Sequence, residues 1–299
     1  PGSGKLATCL SQLYHEHKRG VNAGYAKFET FPVWNLTLKH PVNLAYEAAT
    51  ADLKDVNMID PFHLEAYGEM AVNYNRDVEM FPVLKNILFR ATGKDIYKSP
   101  TDMGVNMLGY AIKDASVVEE AAKKEIVRRY YHEKNNYKIG LSDEDAWKKI
   151  KLLMNELKID EKYLDVIEPA LEKSKKENKP VISLKLAKKK IITGKQTELL
   201  SPASSLIINA IKELSKIPDD IKLLSPSVLE PISRLRNKNK PLTLQEVMIA
   251  LSICSVTNPV IEKALSNISK LEGCEAHSTF IVDNEDTKSL KELNINITC

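Results

Sequence analysis

"PGSGKLATC", residues 1–9, decides how this fold is read. A phosphate-binding loop follows a strand, passes through a Gly-rich turn and ends in Gly-Lys at a helix N-terminus. There backbone N–H groups, the helix dipole and the Lys charge surround phosphate oxygens. Gly2, Ser3, Gly4 and Lys5 stand directly before residues 6–19, LATCLSQLYHEHKR. In that segment Leu6, Leu10, Leu13 and Tyr14 recur at helical spacing, and Lys18, Arg19 and Gly20 mark a stop. A complete loop has a further Gly upstream and Ser or Thr after the Lys to hold magnesium. Here Leu6 follows Lys5, and the nearest hydroxyls are Ser3 and Thr8. The alternative reading is a Gly-rich turn ahead of an ordinary helix.

Downstream of that helix, residues 23–31, AGYAKFETF, alternate as a strand, with Tyr25, Lys27, Glu29 and Phe31 on one face. Residues 41–53 read as a helix with Pro41 in its first turn, and 55–59 as a short strand. Asp60-Pro61 opens the next helix, with Asp as cap and Pro at the first helical position. Helical periodicity continues over 76–92, 100–112, 115–137, 143–157 and 161–177. Strands alternating with helices at these lengths predict a parallel-type α/β layer with a P-loop-like start and a helical extension, over residues 1–158.

The remaining residues, 159–299, read as an α+β domain. VISLKL (181–186) and IITG (191–194) form a hairpin with a basic turn, followed by helices near 203–216, 226–237, 243–255 and 259–270. HSTFIV (277–282) and INIT (295–298) are strands around a helix at 286–293. A chain of 299 residues with 43% hydrophobic content supports two cores of this size.

The net charge of +3 does not argue for nucleic acid or an acidic membrane, and no apolar run is long enough to span a bilayer. The basic stretch from Lys185 to Lys195 lacks interleaved aromatics for base stacking. Cys9, Cys254, Cys274 and Cys299 fit no paired-CxxC scheme, so a reduced, cytoplasmic setting is expected.

Polar residues gather where strands end. Asp60 closes Val56-Asn57-Met58-Ile59, the place where nucleotide-hydrolysing enzymes hold magnesium, although capping the helix at Pro61 explains an Asp equally. His63, beside it, is a general base or phosphate donor near neutral pH, or a first-turn surface residue. Asn73, Asn75, Arg76 and Asp77 form a dense cluster in which the Arg76 fork suits a phosphate or carboxylate; a polar loop is the plainer reading. Lys27 and Glu29 share a strand face as a functional pair or a solvent-side one, and Thr101 and Asp102 start a helix. Cys274 and His277 lack the second pair of ligands that zinc requires, and His15-Glu16-His17 is not the zinc-protease spacing.

Several longer blocks carry a family resemblance: YHEHKRG (14–20), GYAKFETFPVWNL (24–36), HPVNLAYEAATADL (40–53), VNMIDPFHLEAYG (56–68), VNYNRDVE (72–79), SPTDMGVNM (99–107) and GCEAHST (273–279). The chain resembles, over essentially its whole length, an uncharacterised bacterial family known as domain of unknown function eighteen-forty-six. The resemblance implies a longer N-terminal α/β region, in which an apolar strand leads into the loop that ends in PGSGK. On that reading this chain is a C-terminal fragment, with an open sheet edge and a first domain less stable than the second. The family carries no established activity, and its members too lack Ser or Thr after the Lys.

The functional expectation is a nucleotide-dependent enzyme, an ATP- or GTP-using transferase or hydrolase that moves a phosphoryl or nucleotidyl group on a small metabolite. Gly2, Ser3, Gly4, Lys5 and Thr8 would bind the cofactor, Asp60 would hold magnesium, and Asp60, His63 and Arg76 would face the reaction. The competing expectation is a non-catalytic phosphate-binding or scaffold protein. The expected partner is a small-molecule substrate, with neither nucleic acid nor membrane, and homo-oligomerisation is left open.

Overall fold

Gly4 takes up the left-handed region at φ 72° and helix α1 (Lys5–Lys18) follows it. Glycine meets no Cβ clash in that conformation. The structure is a computed structural model, and it describes residues 4–27, 32–104, 106–187, 189–235 and 240–299. Gly2 and Ser3 of the expected loop lie outside the described residues. Two compact units divide the chain, residues 1–159 and 160–299.

In the first unit Leu13 of α1 joins Tyr25, Phe81, Leu84, Leu88 and Met103 in a buried cluster. No strand forms over residues 21–27, in contrast to the alternation of 23–31; residues 28–31, Glu29 among them, lie outside the described residues. The Tyr97 hydroxyl accepts from the Tyr25 N–H and donates to the Tyr25 carbonyl, both at 2.6 Å. The Lys27 N–H donates to the Met103 carbonyl, again at 2.6 Å. Backbone groups that a ladder would use are thus spent on a side chain and a turn.

Helix α2 (Pro41–Ala49) starts on His40, whose Nδ1 accepts from Val42 N. Strand β1 (Asn57–Ile59) leads through Asp60 into α3 (Pro61–Tyr67), which stops at Gly68 with φ 70°. Strand β2 (Val72–Tyr74) then pairs antiparallel with β1, Asn57 opposite Tyr74 and Ile59 opposite Val72. This corrects the parallel layer expected for the first 158 residues: the sheet of this unit, among the described residues, is a two-stranded antiparallel ribbon. The left-handed turn at Gly68 returns the chain from α3 directly alongside β1.

Helix α4 (Asn75–Thr92) packs on α1, and α5 (Ala115–Lys138) packs on α2 and α6 (Glu144–Glu156). The helix expected over 100–112 is instead two 3₁₀ turns, Thr101–Met103 and Leu108–Ala111. Carboxylates capture the amides that would have begun it. Asp102 accepts from Lys98 N and Ser99 N, and Asp60 accepts from Thr101 N.

The second unit holds the layered sheet. Helix α7 (Ile167–Glu177) precedes the hairpin of β3 (Val181–Lys185) and β4 (Ile191–Lys195), with Val181 opposite Lys195. Helices α8 (Pro202–Ser215), α9 (Pro226–Leu235), α10 (Leu244–Ser255) and α11 (Pro259–Leu265) follow. Strand β5 (Glu275–Ser278), helix α12 (Asn284–Glu292) and strand β6 (Asn296–Thr298) complete it. The strand order is β4-β3-β5-β6, antiparallel except for the parallel pair β5–β6.

Val181, Ile182, Ser183 and Leu184 are all fully buried, because the sheet is covered on both faces. Ile182 and Leu184 join Leu206, Ile207 and Ala210 of α8 in the main core, while the Ser183 hydroxyl donates to the Val166 carbonyl just ahead of α7. The molecule is therefore a mixed α/β protein, and among the described residues the parallel pair of strands lies in the second unit.

Two predictions follow from this unit's packing. A Cβ on Gly194 would sit 2.2 Å from Leu206 N and 2.4 Å from the Pro202 carbonyl, so β4 touches the backbone of α8 at that point. Gly194→Ala should destabilise the second unit by roughly 1–3 kcal/mol or more, as overpacking does. A lowered denaturation midpoint at unchanged slope checks it, and an unchanged midpoint would refute the contact.

His277, on β5, is 3% exposed, with Nδ1 2.9 Å from Thr298 Oγ1. Burial pushes its pKa down from 6.5 to about 4. The unfolded chain takes up a proton below pH 6.5 and the folded chain does not, so this contribution is full above pH 6.5 and is lost as pH falls toward 4. The shift corresponds to about 3 kcal/mol at most. Asp286 acts with the opposite sign, since burial raises its pKa. The difference between wild type and His277→Gln isolates the ring. The protection factors of the Ile182 and Ala276 amides should fall more steeply in wild type than in the variant between about pH 7 and 4.5, and parallel curves would contradict the assignment.

Candidate functional site

The first unit has a cleft of about 260 Å³ that draws together residues far apart in the chain. Leu6 comes from the first turn of α1, Lys27 from the segment after it, Tyr74, Arg76 and Asp77 from the β2–α4 junction, and Pro100 and Met103 from the 3₁₀ turn. Three of the stretches that stood out in the sequence thus meet at one place. They are the first turn of α1, through Leu6, the polar cluster around Arg76, and the Ser-Pro-Thr-Asp turn.

Each wall has a physical reason for its position. Lys27 reaches the cleft because its N–H is bound by Met103 and because Gly104 admits the chain. A Cβ on Gly104 would lie 2.3 Å from the Lys27 carbonyl oxygen. The Lys27 ammonium pairs with the Asp77 carboxylate. Asp77 stands in the first turn of α4, where a negative charge is favoured by the helix dipole. Asp77 is 50 residues away in the chain; the pairing of Lys27 with Glu29 expected along one strand face falls on a residue outside the described ones.

Arg76 is half exposed, and its Nη2 lies 2.5 Å from Oδ2 of the buried Asp55. That hydrogen bond raises the Arg76 pKa further, so the guanidinium stays charged and is held in place from one side. Asn73 and Asn75 have a different task. Asn75 Oδ1 accepts from Val56 N, and Asn73 Nδ2 donates to Thr101 Oγ1 at 3.4 Å, tying the ribbon to its surroundings.

Behind the Pro100–Met103 wall lies a buried polar network. Asp60 is fully buried, and its carboxylate accepts four hydrogen bonds. Oδ1 takes Phe62 N at 3.0 Å and His63 N at 3.1 Å; Oδ2 takes Thr101 Oγ1 at 2.6 Å and Thr101 N at 3.2 Å. Four is about the number of lone-pair sites a carboxylate offers. Asp60 is thus the cap of α3 and the clasp of the 3₁₀ turn together.

His63 is 8% exposed, with Nδ1 3.0 Å from Ser99 Oγ and 3.9 Å from Asp102 Oδ1. Its ring packs against Tyr67 and the edge of Trp34. The Tyr67 hydroxyl donates to Asp102 at 3.0 Å. Burial and that hydrogen bond raise the Tyr67 pKa, which keeps the phenol in its donor form. Asp60 and His63 therefore stand in this network and do not line the cleft, whereas Arg76 lines it.

Lys5 is exposed beside Leu6. The Thr8 hydroxyl donates to the Gly4 carbonyl at 3.1 Å, one turn back along α1. The first turn of α1 contains no acidic residue, and Gly4 supplies no side-chain cap. Gly2 and Ser3 lie outside the described residues. In the second unit the Cys274 thiol donates to the Lys270 carbonyl, and His277 Nδ1 lies within hydrogen-bond reach of Thr298 Oγ1. Among the described residues no group of three or more His, Cys, Asp or Glu is placed to hold a metal ion.

Tyr67 and Trp34 escaped sequence reading, and Ser99 was read only as part of a helix start. A Ser before Pro and an aromatic late in a short helix are ordinary in isolation. Only the spacing of Ser99 and Asp102, which would form a cap, hinted that the turn was built to receive a partner.

Comparison with known proteins places this geometry in a family. Residues 1–158 match the description "Domain of unknown function DUF1846, N-terminal", and residues 162–299 match "Domain of unknown function DUF1846, C-terminal". The chain is 53% identical over 313 aligned residues to a UPF0371 protein of Clostridium botulinum (strain Alaska E43 / Type E3). It is 51% identical to a UPF0371 protein of Clostridium tetani (strain Massachusetts / E88) and 50% identical to one of Clostridioides difficile (strain 630), over alignments of the same length. Each alignment takes in 100% of this chain and 62% of the relative. The chain spans somewhat under two thirds of the length of these relatives. With both of its units matched in order, the chain belongs to the DUF1846 family of bacterial proteins.

Proposed function

We propose that the first unit binds a phosphorylated small molecule, foremost ATP or GTP with magnesium, and that the whole protein transfers a phosphoryl or nucleotidyl group to a small metabolite. One observation carries this reading. The cleft beside the uncapped first turn of α1 is lined by Lys27, which pairs with Asp77 of the same lining, and by Arg76, half exposed and held from one side by Asp55. Backbone N–H groups at a helix start and a planar guanidinium are complementary to phosphate oxygens. In this reading Lys5 and the Gly2–Gly4 backbone hold phosphate, with Thr8 one turn into the helix. Arg76 would clamp the transferring group, while Asp60 and His63, behind the Pro100–Met103 wall, would hold that wall in place rather than meet magnesium or the reacting atoms.

A second reading has its own support. Both Asp60 oxygens are spent on internal hydrogen bonds, and Leu6 occupies the position where a hydroxyl would meet magnesium. These favour a protein that binds phosphate without metal-dependent turnover, as a sensor or scaffold.

Titration calorimetry of a full-length family member with ATP and GTP, with and without magnesium, tests the binding. Lys27→Met and Arg76→Met should each weaken nucleotide binding by about tenfold, the value of one charge-assisted contact. No binding at about 1 mM nucleotide would end the phosphate reading. Turnover that disappears in Lys5→Met selects the transferase; binding without turnover across a panel of metabolites selects the scaffold. No helix among the described residues is long and apolar enough to cross a membrane.

A further inference from the structure

Lys212, on α8 of the second unit, is 6% exposed. Burying an ammonium costs several kcal/mol unless a partner repays it. Its Nζ donates to the Asp219 carbonyl at 2.8 Å, and no carboxylate of the described residues forms an ion pair with it. An ammonium has three donors. A single neutral carbonyl satisfies one of them and leaves the charge unmatched.

The same side chain lines a cleft of about 480 Å³. That volume lies within the ~300–1,000 Å³ range usual for small-ligand pockets. The floor is hydrocarbon, with Leu200, Leu223, Leu224 and Leu229 all contributing. Lys222 lines the cleft as a second cation, exposed at its edge. Glu198 and Asp219 line it too, both exposed.

We propose that this cleft binds a small organic monocarboxylate, with its carboxylate on Lys212 and its hydrocarbon body on the leucine floor. The ligand's class follows from the lining. A buried cation above a hydrocarbon floor, with no carboxylate of the described residues paired to it, attracts a single anionic group. The leucine floor adds affinity for a hydrocarbon body that an inorganic anion lacks. Glu198 and Asp219 disfavour a second negative charge, which selects against phosphate and dicarboxylates. The site is separate from the cleft of the first unit and does not depend on the phosphate reading. The competing account is that Lys212 only ties α8 to the turn at Asp219.

The test is calorimetric titration of the 299-residue chain with sodium hexanoate, with hexanol and inorganic phosphate as comparison probes. Hexanoate should saturate one site, hexanol should bind about tenfold more weakly or worse, and phosphate should not compete. Lys212→Met removes the charge and keeps the stem. Ile221→Glu adds a negative charge at an exposed lining position, 40% accessible, and leaves the core intact. Each should weaken hexanoate by about tenfold or more. If Lys212→Met does not fold, Ile221→Glu decides. Absence of saturable hexanoate binding, equal affinity for hexanol, competition by phosphate, or unchanged affinity in the folded variants would each overturn the proposal.

Discussion

A single buried carboxylate organises the first unit. Asp60 accepts two hydrogen bonds from the start of α3 and two from Thr101, 41 residues further along. An isolated carboxylate with no solvent contact would be among the costliest groups a protein can bury. Four donors convert it into a junction. The 3₁₀ turn it holds supplies Pro100 and Met103 to the cleft, and Met103 in turn receives the N–H of Lys27. The cleft's cation is therefore positioned by a chain of contacts that begins at Asp60.

Much of the helical content was legible because its signals are local. Pro41 and Asp60-Pro61 mark starts that the structure uses, and the periodic spans 115–137 and 203–216 begin within a residue of α5 and α8. The parallel layer expected of the first unit was a misreading. Strand-like alternation at 23–27 reports only which side chains share a face, and it carries no information about which groups the backbone will meet. Tyr97 and Met103 meet it, more than 70 residues away. The two-stranded ribbon was hidden for a similar reason, since β2 is three residues long and sits inside a run read as polar.

The candidate site was half visible. Arg76 and Asp77 stood out as charges at an element boundary, and both line the cleft. Asp60 stood out too, with the choice between cap and metal ligand left open by its position; its capping bonds are present in full. What could not be read was pairing across distance, as in Lys27 with Asp77 or His63 with Ser99. Each partner alone is a common surface or turn residue. Lys212 was equally silent, since a lysine in an amphipathic helix reads as solvated until the turn at Asp219 folds over it.

The second unit uses a clasp of the same kind. Asp286, 2% exposed at the start of α12, accepts from Leu244 N at 2.7 Å, 42 residues earlier, where α10 begins. The same segment continues into β6, which pairs with β5 in parallel and so needs the α12 crossover to arrive at all. A helix start in the middle of the unit and the last edge of its sheet thus wait on one stretch, residues 284–298. During synthesis from the N-terminus those residues leave the ribosome after every other part of the unit they complete. Until they do, α10 has a buried amide without its acceptor and β5 an open edge.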